Sequence, residues 1–227
     1  MRITYLALAG LLVVAALPAH AGTFTTVDIS SVVNGHVDRN PQTFPLGTTT
    51  GNKGTNIPFQ IAPYKGVAGT FIANGGTGDT FTLHVNIPGQ ASFYALLNNY
   101  YGTPGADEYD VTVGTLSGGS ITYKSIGGID TRDYNSNVFT NTIANTTKPW
   151  FDNGIGQRLD LREFNLPVAF AADVITSFTI TQVNSQDYAL FSGLTFSNVA
   201  IPTPEPAALA LMGLGVAGLA VARCRSR

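Results

Sequence analysis

The chain has 227 residues, room for one sizeable domain, and 44% of them are hydrophobic while only 11% are charged, against about 25% in an ordinary soluble domain. Between residues 22 and 201, eight Lys or Arg stand against thirteen Asp or Glu, a net charge of −5 that lacks the positive patch needed to replace phosphate counterions and so argues against nucleic acid as a partner. The single cysteine, Cys224, sits in a terminal basic cluster, which leaves the body without a disulfide, a thiol nucleophile or a thiolate metal site.

Residues 1–21 read MRITYLALAGLLVVAALPAHA: one cation, Arg2, an apolar run, then Pro18 and the small-residue site Ala19-His20-Ala21. This is the layout of a secretory signal peptide, with cleavage by signal peptidase expected after Ala21. Residues 22–201 then show period-two patterns and no sustained helical period. The clearest lies at 80–87, where Phe81, Leu83, Val85 and Ile87 alternate with Thr80, Thr82, His84 and Asn86. Tyr109, Val111 and Val113 alternate in the same way with Asp110, Thr112 and Gly114. Further strands are predicted at 23–30, 58–61, 69–73, 92–98, 119–126, 158–164, 174–183 and 190–199, with a helical turn within 166–173. Turn signals such as Pro88-Gly89, Pro104-Gly105, Gly118-Gly119 and Asp152-Asn153-Gly154 separate them. Short strands punctuated in this way predict an all-β fold: one antiparallel β-sandwich of the jelly-roll type over 22–201.

A resemblance supports that fold class. Val27-Asp28-Ile29-Ser30, Pro45-Leu46-Gly47, Ile57-Pro58-Phe59-Gln60-Ile61, Tyr94-Ala95-Leu96-Leu97-Asn98, Tyr101-Gly102, the run Ile129 to Asn135, and Arg158-Leu159-Asp160 follow in order along the body. The series resembles extracellular bacterial domains of the galactose-binding-like jelly-roll type, some of which accompany carbohydrate-active proteins. It departs from them around Ile57, where that pattern would have Gly-Val-Pro-Phe. The resemblance implies a jelly roll and hints at glycan binding.

Two charge clusters stand out in so sparsely charged a body: Arg132-Asp133, and Arg158, Asp160 and Arg162. One reading pairs them as structural salt bridges at a sheet edge, a routine use of the planar guanidinium. The other is a sugar site, in which Arg, Asp and Asn bond hydroxyls while an aromatic ring covers the apolar face of the sugar. Asn98, Tyr101, Arg132, Asp133, Trp150, Arg158 and Asp160 are its candidate residues, with Asn99 and Tyr100 beside them. Trp150 fits a binding rim and a core plug equally well. His36 and His84 are the only histidines of the body, too few for a transition-metal site without carboxylate help, so no metal or other cofactor is expected. Gly75-Gly76-Thr77-Gly78-Asp79 occurs once and one residue short of a calcium-binding nonapeptide, which works only in stacks, and reads as a hairpin turn. Glu108, Glu163 and eleven Asp offer no spacing that singles out a glycosidase pair, and an enzyme is not expected.

The end of the chain is more specific. Pro202-Thr203-Pro204-Glu205-Pro206 is followed by sixteen apolar or Gly residues, 207–222, and then by Arg223, Arg225 and Arg227. Sixteen helical residues span roughly 24 Å, short of a hydrocarbon core of about 30 Å, a gap that snorkelling arginines narrow. The basic tail places that end on the cytoplasmic side of the inner membrane and the body outside. The combination resembles the PEP-CTERM sorting signal of Gram-negative bacteria, with Thr in place of the frequent Val before Pro-Glu-Pro. The resemblance implies that Pro204, Glu205 and Pro206 are recognised by an exosortase, a membrane-embedded transpeptidase, and that 207–222 form a transient transmembrane helix. Segments 1–21, 22–201 and 202–227 are thus expected to be signal, ectodomain and sorting anchor. The expected route runs across the inner membrane to the periplasm, then to the cell surface or matrix. There the body binds exopolysaccharide, or serves as a structural biofilm or adhesion protein without a ligand; a glycan-acting hydrolase is the third alternative.

Overall fold

A computed structural model of the chain describes residues 22–36, 41–73, 76–135, 143 and 147–201. The segments expected to be signal peptide and transmembrane helix, the Pro-Glu-Pro motif and the basic tail lie outside the described residues. In chain order the strands are β1 (Phe24–Val27), β2 (Gly35–His36), β3 (Gly47–Thr49), β4 (Phe59–Ile61), β5 (Pro63–Tyr64), β6 (Val67–Ile72) and β7 (Thr80–Pro88). They continue with β8 (Ser92–Tyr100), β9 (Asp107–Thr115), β10 (Ser120–Ile126), β11 (Thr147–Asp152), β12 (Arg158–Asn165), β13 (Val174–Gln182) and β14 (Tyr188–Ser197). Among the described residues helical structure is confined to 3-10 turns at Pro41–Thr43 and Val168–Ala172, and no helix is long and apolar enough to cross a membrane.

Two antiparallel sheets face each other in a sandwich-like arrangement. One has the order β10-β9-β13-β7; the other runs β11-β12-β8-β14-β6-β2, with β1 added to β14 and β5 to β6. The smaller sheet owes its position to plain alternation: Phe81, Leu83 and Ile87 of β7, Tyr109, Val111 and Val113 of β9, and Ile175, Phe178 and Ile180 of β13 all turn inward. Ile175 and Phe178 are three apart, so simple alternation would set them on opposite faces; a register shift between Ile175 and Ser177 restores both to the core. The outward face carries Thr ladders, with hydroxyls meeting at 2.9 Å (Thr80–Thr181), 2.9 Å (Thr82–Thr179) and 2.8 Å (Thr112–Thr122). This is how so weakly charged a surface stays polar.

The larger sheet is buried on both faces. On one side Phe93, Ala95 and Leu97 of β8 with Phe191, Leu194 and Phe196 of β14 meet the smaller sheet; Phe93 stacks on Phe164 at 4.3 Å between ring centres. On the other side Tyr94, Leu96, Leu159 and Leu161 join Phe44, Phe59, Ile61 and Trp150 in a second core. The β3–β4 pair covers that second core, adding a third layer to the sandwich expected from sequence. Gly193 permits the cover to close: a Cβ there would stand 2.9 Å from Phe59 Cδ1. Of the glycine run expected as a hairpin turn, Gly75 lies outside the described residues, and Gly76 to Asp79 lead instead into β7 of the small sheet, after β6 of the large one.

Candidate functional site

At one end of the large sheet the β12–β8 ladder stops at Leu161–Leu96. Residues 131–135 are inserted into the gap beyond it. Asn99 N–H donates to the Arg132 carbonyl at 3.1 Å, Tyr134 N–H to the Asn99 carbonyl at 3.0 Å, and Arg158 N–H to the Tyr134 carbonyl at 3.0 Å. Asn98 spans what remains, accepting from Asp160 N–H at 3.0 Å on Oδ1 and donating from Nδ2 to Asp160 Oδ2 at 2.8 Å. The insertion draws together six of the seven residues singled out from sequence.

Arg132 clasps Asp160 with both prongs of its guanidinium, Nε to Oδ2 at 2.8 Å and Nη2 to Oδ1 at 2.7 Å. Arg158 donates from Nε and Nη2 to the Asp133 carbonyl at 3.1 and 2.8 Å and lies 3.7 Å from Asp160 Oδ2. Burial first, and the Arg132 charge second, lower the Arg158 guanidinium below its usual value. The Asp133 carboxylate accepts from Tyr101 N–H at 2.9 Å and from Asn135 N–H at 2.7 Å. Asn98, Asp133, Arg158 and Asp160 are all buried. They form a scaffold inside the sheet rather than a charged edge, with Asp160 and Asn98 almost wholly buried.

What this scaffold presents to solvent is aromatic. Its bond to Asp133 holds Tyr101 in the left-handed region at φ 60°, a conformation uncommon for a residue other than Gly, with the side chain half exposed. Tyr101, Tyr100, Tyr188 and Ile72 line an open groove of about 250 Å³. Tyr100 sits edge-on to Tyr188 with ring centres 6.3 Å apart and edge-on to Tyr134 at 4.3 Å. Tyr188 and Ile72 were not singled out from sequence. Both stand in strands, and only the β14–β8 and β14–β6 pairings bring them beside Tyr100 and Tyr101.

Trp150 lies elsewhere. It is fully buried in the second core, edge-on to Phe59 at 5.3 Å, and its indole N–H donates to the Ile57 carbonyl at 3.2 Å. Of its two sequence readings, the core plug is the one this position fits. The neighbouring Arg162 is buried too, donating to Ser125 Oγ at 2.5 Å and the Lys124 carbonyl at 2.6 Å, with its guanidinium 4.6 Å from the Phe164 ring. His36 and His84 are both exposed, on β2 and β7 of different sheets. Among the described residues no group of three or more His, Cys, Asp or Glu side chains is placed to hold a metal ion.

No curated protein and no solved structure matches the chain. The model of the PEP-CTERM protein-sorting motif matches residues 202–226, a stretch that takes in Pro204, Glu205, Pro206, Arg223 and Arg225. An all-β body is therefore followed by a PEP-CTERM sorting motif, which implies export, membrane anchoring during sorting, and an exosortase as the processing enzyme.

Proposed function

We propose that this protein is an exported, exosortase-sorted β-sandwich of the jelly-roll type that binds exopolysaccharide in its tyrosine groove. Binding, without catalysis, is the activity. The observation that carries the reading is the groove itself, with Tyr100, Tyr101 and Tyr188 gathered at one end of the sheet on a buried polar scaffold. Tyr rings offer flat apolar faces to pyranose rings and hydroxyls to their rims at low entropic cost. An open groove suits an extended chain better than a small molecule, which pockets enclose.

The test is retention of the chain on the exopolysaccharide of its own host. Tyr101→Ala and Tyr188→Ala should each weaken retention about tenfold, equivalent to roughly 1.4 kcal/mol. Both side chains are partly exposed, so the variants should melt close to the parent. Undiminished retention in the double variant would remove the groove from the reading. No retention of the parent on any glycan would leave the structural matrix or adhesion reading in its place.

A further inference from the structure

Among the described residues, the two most exposed large apolar side chains are Val168, at 91%, and Leu116, at 72%. Neither is needed by the core. Val168 opens the 3-10 turn Val168–Ala172, in which Phe170 is the buried residue while Val168, Ala169, Ala171 and Ala172 face outward. Leu116 stands at the tip between β9 and β10. The two loops are fastened to each other: Leu116 N–H donates to the Val174 carbonyl at 2.9 Å, and the Ser117 hydroxyl donates to the Asp173 carboxylate. Their own backbone bonds are closed, with Thr115 N–H on the Gly119 carbonyl at 2.8 Å and Asp173 N–H on the Phe170 carbonyl at 3.1 Å. Segments 116–119 and 166–173 carry a single charge, Asp173. A protein that keeps the outer face of its small sheet polar with Thr ladders thus holds out, in fixed geometry, apolar surface that its fold does not require.

This is the end of the sandwich from which the chain leaves for the membrane. Leu166 N–H donates to the Ala91 carbonyl and Ala91 N–H to the Ser197 carbonyl, both at 2.9 Å, which ties the approach to the 3-10 turn to the finish of β14. Asn165, bonded in both directions to Ile201, precedes Val168 by three residues, at most roughly 11 Å of chain. From Ile201 to the start of the apolar stretch at Ala207 are six steps, at most roughly 20 Å of chain. Since the sorting motif implies membrane anchoring during sorting, this short tether keeps the exposed loops within reach of a bilayer. A few side chains would not hold a free protein on lipid, but a tethered one meets the surface at high effective concentration.

We propose that the loops at 116–119 and 167–173 are a docking surface for the bilayer that anchors the chain, with Leu116 and Val168 inserted into its interfacial layer. Insertion reaches about 5–10 Å, the depth at which apolar side chains meet the boundary between headgroups and acyl chains. The contact is apolar, because neither loop offers a cation to anionic lipid and Asp173 is repelled by it. Zwitterionic lipid therefore suffices, and salt has little effect. The sandwich stands end-on, with the tyrosine groove directed away from the membrane. Docking rests on the anchoring that the sorting motif implies and not on what the groove binds.

The experiment places the full chain in phosphatidylcholine vesicles, loaded so sparsely that most carry one copy, with and without bromine on the lipid acyl chains. Tryptophan is introduced singly by Leu116→Trp, Val168→Trp and, as a control at the groove end, Ile155→Trp in the turn between β11 and β12. The emission added at 116 and at 168 should shift to the blue and be mostly quenched by the brominated lipid. That of Ile155→Trp, and of the buried Trp150, should be unaffected. Absence of quenching at 116 and 168 would overturn docking, and so would equal quenching at 155, which means a body lying in no fixed orientation. Tryptophan itself favours interfaces, so a second measurement leaves the parent side chains in place. Amide exchange at Ser117 and at 169–172 should be several-fold slower in the vesicle-bound parent than in Leu116→Ser/Val168→Ser, whose exposed substitutions should leave its melting temperature unchanged. Equal exchange in the two proteins would overturn the proposal as well.

Discussion

Asp160 is the counter-ion of the inserted segment. It receives the Arg132 fork, the Asn98 amide and the approach of Arg158, and it is fully buried. Replacing it with Ala leaves two guanidinium groups facing each other inside the protein with no carboxylate between them. Asp160→Ala should therefore cost about 3–5 kcal/mol in urea unfolding, the usual penalty for breaking a buried pair from one side. Trp150→Ala should cost a similar amount, about 3–5 kcal/mol, by opening a cavity against Phe59. If Trp150 is only a plug, the folded fraction of that variant should bind polysaccharide as the parent does; lost binding in a folded Trp150→Ala protein would reopen the rim reading. The Arg–Asp clustering was legible because charge is so scarce in this sequence. Whether those charges faced sugar or one another was not, because that depends on residues 131–135 entering between two strands far away in the chain.

The strands were legible where one face is wet. β7 alternates because its Thr-bearing side meets water, and the same holds for β9 and β13. β8 reads as the nearly unbroken run SFYALLNN because it is covered on both faces, a pattern that gives a strand but not its layers. β11 escaped notice because Pro149 interrupts it; as an edge strand with a register shift between Pro149 and Phe151 it tolerates the missing N–H. β3, with the small polar residues Gly47–Thr49, gave no apolar signal at all. The cover these pieces build presses Phe59 onto β14 at Gly193, which gives it a test of its own. Gly193→Ala should lower stability by about 1–3 kcal/mol through overpacking, and Trp150 fluorescence should shift to the red as the cover lifts. An unchanged denaturation midpoint and spectrum would mean that the cover does not bear on the sheet.

At the scale of the whole molecule, the two ends of β14 have different neighbours. Its start carries Tyr188 and the groove; its finish at Ser197 leads directly to the sorting motif. At about 3.3 Å per residue the strand separates them by roughly 30 Å, so a body tethered through residues 202–226 holds its groove at the far end from the tether. The exit is fixed: Ile201 N–H donates to Asn165 Oδ1 at 2.8 Å and Asn165 Nδ2 donates back to the Ile201 carbonyl at 3.2 Å. Nearby, Thr23 N–H donates to Asn198 Oδ1 at 3.0 Å, which brings the start of the body to the same place. These contacts all lie upstream of Pro204, so removal of the tail should leave the fold intact. The processed form should accordingly lack residues beyond about Pro206 by intact mass, yet melt at the temperature of the unprocessed chain. Glu205→Ala should block the cut and leave Arg227 attached. An exported parent protein that still carries Arg227 would refute the processing step while leaving export in place. A processed form that melts well below the unprocessed chain would show instead that the tail supports the body, against the hydrogen bonds that close it at Ile201.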